Sequence, residues 1–304
     1  MPKQRLSNEK RALILAALCE GTPINAVTRM FQTGKHAVLR VIEESGEALA
    51  HYMDENFRDL PLARIEMDEQ WQYVGKHGHR MKAREEGRGD FWLWAAVDPD
   101  TKLVFSFKTG KRDMRTGADF MADVRARVIG EPQIATDHLN SYPALIRGAF
   151  GYEGYTYGTE TKNFDEPRHW PGMTAMDWSR AQRKPVSKTS SYKRKAVVGS
   201  PDLGSLTTSH IERVFLTVRQ EHARFTRKTL AYSKDLEMHK LSVNLHFGVY
   251  NLVRKHTTLG TTPAVAAGIE ESRWTWEKVI AYTDSYFKQK DEAQFLTAFE
   301  NAGL

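Results

Sequence analysis

Cysteine is almost missing from this chain: Cys19 is the one example in 304 residues. A lone thiol excludes an internal disulfide and any cysteine-rich zinc site, and it suits a reducing cytosol. Its reading is a small buried helix residue. Long apolar runs are missing as well. No stretch approaches the ~20 residues a membrane helix needs, and residues 1–10 hold no apolar signal-peptide core. A cytoplasmic protein with no membrane partner is therefore expected. Paired histidines at metal-ligand spacing on one element are absent too, which argues against zinc hydrolysis, although His138 and His210 adjoin acidic residues. No internal repeat is visible. The remaining composition, 40% hydrophobic and 27% charged, is that of a globular chain able to bury a sizeable core.

Charge is present but unevenly spread. The net value is +6. From Arg180 to Lys240 the sequence holds 14 Lys and Arg against 5 Asp and Glu, whereas residues 1–58 hold 8 against 7. A solvated surface mixes its signs more evenly, so the basic region points to a polyanion, and nucleic acid is the polyanion expected.

Residues 8–58 read as three helices. Asn8 is a candidate cap for the first, with Leu13, Ile14, Ala17 and Leu18 on an apolar stripe. Gly21-Thr22-Pro23 breaks and restarts the chain, Thr22 as N-cap and Pro23 at the first helical position. After Gln32-Thr33-Gly34 a third helix starts at Lys35 and runs to about Phe57. A short helix, a glycine turn and a helix with polar residues at its start fit a helix-turn-helix, which would make Thr33, Lys35, His36 and Arg40 DNA contacts. The same pattern fits a plain three-helix packing unit.

From residue 61 the period changes to two. Arg64–Val74, Phe91–Asp98 and Leu103–Thr109 read as strands of an antiparallel meander, with a turn at Asp98-Pro99-Asp100-Thr101. The basic, glycine-containing stretch 75–89 reads as a hairpin loop. A helix over 116–129, a strand over Pro132–Thr136, a helix over Tyr142–Phe150 and a strand over Tyr155–Thr161 follow. Three strands, helix, strand, helix, strand is the order of the ribonuclease H-like fold, a mixed α/β sheet with flanking helices. Residues 162–204, with Pro167, Pro171, Pro185 and Pro201, read as an irregular basic connection. Helical periodicity resumes near Leu206 through Phe225 and again over Leu236–Arg254, and the segment from Trp274 reads as a helical tail. The division expected is 1–58, 61–270 and 271–304.

Three carboxylates stand out. Asp68 lies in a strand whose alternation puts Glu66, Asp68 and Gln70 on one face and sends Glu69 away. Asp137 sits at a strand end, where a carboxylate opens onto the rim of a sheet. Glu212 opens a helical pattern, with Arg219 two turns on and ~10 Å away on the same helical face. Two strand acids and a helix acid suit a site for divalent metal ions and phosphodiester displacement. Glu160 and Glu166 compete for the third place. Asp98 is assigned to its turn, and Arg219 reads either as a contact for a DNA strand or as a surface arginine.

The chain resembles the bacterial DDE-type transposases of the insertion-sequence-one family from Arg64 to Ile269. The resemblance is carried by Met67-Asp68-Glu69-Gln70-Trp71, Trp94-Ala95-Ala96-Val97-Asp98, Thr136-Asp137-His138-Leu139-Asn140-Ser141-Tyr142 and Gly199-Ser200-Pro201-Asp202. It continues through Thr208-Ser209-His210-Ile211-Glu212-Arg213 to Arg219, Arg224-Phe225-Thr226-Arg227, Asn244-Leu245-His246-Phe247, Tyr250 to Leu259, and Thr262-Pro263-Ala264. It implies a ribonuclease H-like core in which Asp68, Asp137 and Glu212 hold Mg²⁺ or Mn²⁺, and it prefers Glu212 as the third acid. It further implies cleavage at transposon ends and joining of 3′ hydroxyls to target DNA. The partners would be double-stranded terminal repeats and target DNA, bound by a homo-oligomer in the bacterial nucleoid. Arg194, Lys195, Arg219, Asn251, Arg254 and His256 join the expected DNA contacts. Two readings compete: an inactive DNA-binding regulator descended from a transposase, which the intact acids oppose, and a metal-dependent nuclease without a joining step. The chain lacks the cysteine-rich motif that some family members carry before the helix-turn-helix. It also spaces Asp137 and Glu212 by 75 residues, more than many DDE enzymes.

Overall fold

The computed structural model describes residues 5–75, 87–164, 174, 189–226 and 229–301. Helices α1 (Asn8–Cys19), α2 (Ile24–Met30) and α3 (Lys35–Asn56) come first. The cap of α1 is Ser7 rather than Asn8: the Ser7 hydroxyl accepts from the Lys10 amide, so Asn8 is already inside the helix. The cap position of α2 falls on Pro23, one residue later than expected, with no side-chain hydrogen bond.

Strands β1 (Leu60–Pro61), β2 (Arg64–Val74), β3 (Gly89–Val97) and β4 (Val104–Gly110) follow, then α4 (Met114–Arg127), β5 (Val128–Ile129), β6 (Gln133–Thr136), α5 (Tyr142–Phe150) and β7 (Thr156–Phe164). The next strand, β8 (Thr189–Val198), corrects the expectation of an irregular connection over 162–204: β7 runs on to Phe164 and β8 pairs antiparallel with it. The part of that connection over 165–173 and 175–188 lies outside the described residues. The chain ends with α6 (Ser209–Glu221), α7 (Leu236–Leu252), α8 (Pro263–Ala266) and α9 (Trp276–Asn301).

The six strands of the main sheet run in the order β4-β3-β2-β6-β7-β8. Strands β2, β3 and β4 form an antiparallel meander, while β6 pairs parallel to β2 and β7 parallel to β6. This is the ribonuclease H-like arrangement, extended by one antiparallel strand. On one face Trp94 meets Phe120 of α4 and Tyr142 of α5, with ring centroids 6.0 and 5.9 Å away. On the other lie α6 and α7, to which β2 offers polar side chains. The Gln70 amide donates to the Phe215 carbonyl at 2.9 Å, and Gln72 Oε1 meets His239 Nε2 at 2.6 Å.

The N-terminal helices share this core rather than standing apart from it. Helix α3 buries Val38, Val41, Ile42, Leu49, Tyr52 and Met53, an apolar stripe at helical spacing. It crosses α7 at glycines: a Cβ on Gly46 would lie 2.3 Å from the Leu241 carbonyl oxygen, and one on Gly248 2.7 Å from a Leu49 methyl. Arg11, 1% exposed, pairs with Asp284 of α9 at 2.7 Å and Glu44 of α3 at 3.3 Å. Arg127 of α4 closes the far end of α3, donating to the Met53 and Phe57 carbonyls and pairing with Asp54 at 2.8 Å. Cationic donors suit the unpaired carbonyls of a helix C-terminus.

Candidate active site

The pairing of β2 with β6 stops at Met67 opposite Thr136. The next residue on each strand is an aspartate, Asp68 and Asp137. Parallel neighbours that end their pairing together bring these two side by side at the rim of the sheet. Asp68 Oδ1 accepts from the Glu69 amide at 2.7 Å, and Asp137 Oδ1 accepts from the Leu139 amide at 3.0 Å, a local turn that fixes its direction.

Glu69, which alternation sends to the opposite face, still joins them. Carboxylate oxygens of Asp68, Glu69 and Asp137 lie within 4.8 Å of one another, a set of hard oxygen donors that fits a divalent cation. Burial first, then the charges of Asp137, Glu69 and Glu212, pushes the Asp68 carboxyl up to about 8. Glu69 is also raised, by burial and by Asp137, although Arg112 and Tyr142 pull the other way. Their contacts are Arg112 Nε at 2.8 Å and the Tyr142 hydroxyl at 2.9 Å.

Glu212 reaches the same rim from α6. Its carboxylate is held by the Lys162 ammonium and by the Thr208 hydroxyl at 3.2 Å, and its charge is felt at Asp68. Two further acids fix this helix in place. Glu66 Oε2 accepts from the amides of His210 and Ile211 at 2.8 and 3.1 Å, while Oε1 meets His210 Nδ1 at 2.6 Å. Glu160 Oε2 accepts from the Thr208 amide at 3.1 Å, and its other oxygen takes the Arg194 guanidinium at 3.0 Å. Carboxylates at the first turn satisfy orphan amides and oppose the positive end of the helix dipole. Glu160, a competitor for the third acid, is thereby occupied. Glu166 lies outside the described residues.

Asp68, Glu212, Arg213 and Arg219 line one cleft of about 950 Å³, with Trp71, Tyr73 and Trp92 along it. No protein-family model matches the chain. Against curated proteins, the chain is 25% identical over 175 residues to the insertion element iso-IS1n protein InsB of Shigella dysenteriae, covering 58% of this chain and 86% of that protein. That similarity to an insertion-element protein agrees with the resemblance to the insertion-sequence-one family read from the sequence. Among solved structures, the Mos1 transposase paired-end complex with left transposon end is 13% identical at a TM-score of 0.21, over 52% of this chain and 59% of that one. A pre-cleavage Mos1 transpososome is 11% identical at a TM-score of 0.21, over 93% of this chain and 80% of that one. The chain thus spans about three fifths of the first. The ribonuclease H-like arrangement is that of the strand order β4-β3-β2-β6-β7.

The expected DNA contacts scatter. Thr33, His36 and Arg40 line one groove with Arg5, and Lys35 faces a different cavity beside α7. Arg254 and His256 share a cavity of about 480 Å³ with Lys102, His210, Arg213 and Lys255, on the other side of α6 from the acidic rim. Arg213 lines both. Arg254 also pairs with Glu221. Lys195 is exposed on β8. Asn251 is corrected: it is 0% exposed, and its amide accepts from the Val104 N–H at 3.1 Å and donates to the Val104 carbonyl at 2.8 Å. A buried amide holding α7 against β4 has no surface to offer DNA. Arg194, half-buried, donates to the Leu203 and Gly204 carbonyls as well as to Glu160.

Sequence reasoning missed Glu69 and Lys162. Glu69 gives no signal in a one-strand alternation, since it meets Asp137 only once β6 lies alongside. Lys162 was legible: it shares a face of β7 with Glu160, so a strand whose Glu160 reaches the start of α6 brings Lys162 there too. No helix among the described residues is long and apolar enough to cross a membrane.

Proposed function

We propose that the chain is a DNA transposase that cuts at the ends of its element and joins the freed 3′ hydroxyls to target DNA. The observation that supports this reading is the point where the β2–β6 pairing stops, which brings Asp68 beside Asp137, with Glu212 of α6 lining the same cleft as Asp68. These three would hold the divalent ions, Mg²⁺ or Mn²⁺, and Glu69 would lend its charge beside them. Bound there, such ions activate an attacking oxygen and stabilise the leaving one.

The chain's own groups then have separate tasks. Glu66 and Glu160 anchor α6 so that Glu212 stays above the rim. Arg219 and Arg213, along the cleft, neutralise the phosphates of the strand entering it. In the first reaction water attacks the phosphorus and the 3′ oxygen leaves as a hydroxyl. In the second that hydroxyl attacks a target phosphate and displaces a target 3′ oxygen, so no bond to protein forms. Residues 1–58, through Thr33, His36 and Arg40, recognise the terminal repeats. The segment 61–270 carries the chemistry, and 271–304 is a helical tail packed on the first segment. Two copies bound to two ends would form the joining complex in the bacterial cytoplasm.

The test is joining of a labelled terminal-repeat duplex to plasmid DNA in Mg²⁺. Wild type should give joined product, while Asp68→Asn, Asp137→Asn and Glu212→Gln should give none and still shift the duplex in a gel. Cleavage without joining by wild type would favour a nuclease, and full activity in any of the three variants would sink the assignment.

A further inference from the structure

Strand β7 pairs with β6 as far as Thr159, opposite Thr136, and continues beside β8 to Phe164. Alternation puts Glu160 and Lys162 on one face of that extension, about 6.6 Å apart along the strand. Thr208, the cap of α6, and Glu212 in its first turn are about 6 Å apart along the helix. The two rises match, so strand and helix meet at two points in the same order. Glu160 Oε2 accepts from the Thr208 amide at 3.1 Å, and the Lys162 ammonium donates to Glu212 Oε2. The first contact caps the helix. The second sets a cation on a carboxylate expected to hold metal.

Both oxygens of Glu212 are engaged in this way, since Oε1 accepts from the Thr208 hydroxyl at 3.2 Å. The Lys162 side chain is 25% exposed and that of Glu212 38%, so solvent screens the pair only in part. Held there, Glu212 does not join the acidic group at the rim. Oxygens of Asp68, Glu69 and Asp137 lie within 4.8 Å of one another, and among the described residues Glu212 forms no such group with Asp68 and Asp137. The third acid is thus turned toward a cation of the chain's own.

Resting on the transposase reading, we propose that Lys162 is a positioning residue that parks Glu212 away from Asp68 and Asp137, and that a divalent ion recruits Glu212 only by displacing the ammonium. One carboxylate oxygen cannot serve both cations at once, so completing the metal site costs the ion pair. The metal affinity of the free chain is then set by Lys162 as well as by the acids.

The test is binding of Mn²⁺ to the full chain without DNA, read as free Mn²⁺ by electron paramagnetic resonance. Lys162→Met and Lys162→Gln should each bind the ion about five- to ten-fold tighter than wild type, through loss of one partly exposed ion pair and of its repulsion toward the metal. Lys162→Arg keeps the charge and should stay within about two-fold of wild type. In a Glu212→Gln background the gain from Lys162→Met should shrink below about two-fold, because the carboxylate it would release is gone. Unchanged or weaker binding in both neutral variants, or an equal gain in the two backgrounds, would overturn the proposal and leave the transposase reading standing. Failure of wild type to bind Mn²⁺, or equal affinity in wild type and Asp68→Asn, would overturn both.

Discussion

Five acids sit within a few residues of the sheet's upper rim, and they divide into two regions with opposite surroundings. Glu66 and Glu160 meet the amide end of α6, and each has a further basic partner, His210 or Arg194. Asp68, Glu69 and Asp137 stand against one another, and of these Glu69 also takes Arg112 and the Tyr142 hydroxyl. The first region is electrostatically closed and serves the fold. The second is a set of facing carboxylates: burial first, and then the charges of its neighbours, raise Asp68 to about 8. What separates a structural carboxylate from a reactive one is the partner across the cleft.

Breaking the second region should have the largest effect. Asp68→Asn, Asp137→Asn or Glu212→Gln should lower the joining rate by more than about a thousand-fold, a loss of roughly 4 kcal/mol in transition-state stabilisation, with the melting temperature unchanged or raised. Glu69→Gln should cost only about ten-fold and shift the metal concentration needed for half activity, because Arg112 and Tyr142 already neutralise part of its charge. A Glu69 variant as dead as the Asp68 one would make Glu69 the third ligand and demote Glu212.

Breaking the first region should act on stability. Glu66→Ala or Glu160→Ala leaves helix amides and a cation without their buried partner, a loss of about 3–5 kcal/mol. Chemical denaturation should show the drop, and joining should fall in proportion to the unfolded fraction. A variant that keeps wild-type stability would show that α6 does not need its caps.

The two regions also differ in acid and base. Asp68 has a folded pKa of about 8, above its ordinary 3.8, so its stability contribution is full below 3.8 and is lost as pH rises toward 8. Burial does the reverse to His239 and His246, pushing both down from 6.5 to about 3, and His222 moves in the same direction. Those imidazoles are neutral when folded, so stability is full above 6.5 and drains as pH falls below it. Between pH 6.5 and 8 Asp68 dominates. Metal-free protein should lose about 2 kcal/mol over that interval, one proton's worth of slope. Asp68→Asn should flatten the slope, as should saturating Mg²⁺. A wild-type curve that is already flat would show that the carboxylates do not repel.

The smallest effect sharpens the correction at Asn251. Asn251→Ala should cost about 1–3 kcal/mol for the lost amide pair and leave the affinity of folded protein for DNA within two-fold. A ten-fold affinity loss at full stability would return Asn251 to the DNA surface.

Much of the fold was legible because its signals are local. The strand Arg64–Val74 and the helix Tyr142–Phe150 occur with the boundaries their periodicity indicates. Strand β8 was not legible: its stretch Ser-Tyr-Lys-Arg-Lys over 191–195 lies at the sheet edge and is largely exposed, so no buried face imprints a period of two. Asp68 and Asp137 were legible as a pair, since each stands at a strand's end or open edge. Asn251 was misread because a motif marks a residue as constrained without saying whether DNA or the fold constrains it.

The sequence by itself determined most of the elements and the order of the first five strands of the main sheet, because periodicity and turn residues act over a few residues. Tertiary structure alone decided which acids converge. Distances of a few ångströms between residues 68, 69, 137 and 212 depend on where β6 stops pairing and how α6 is capped. A carboxylate becomes a metal ligand or a helix cap according to the charge that the folded chain sets beside it.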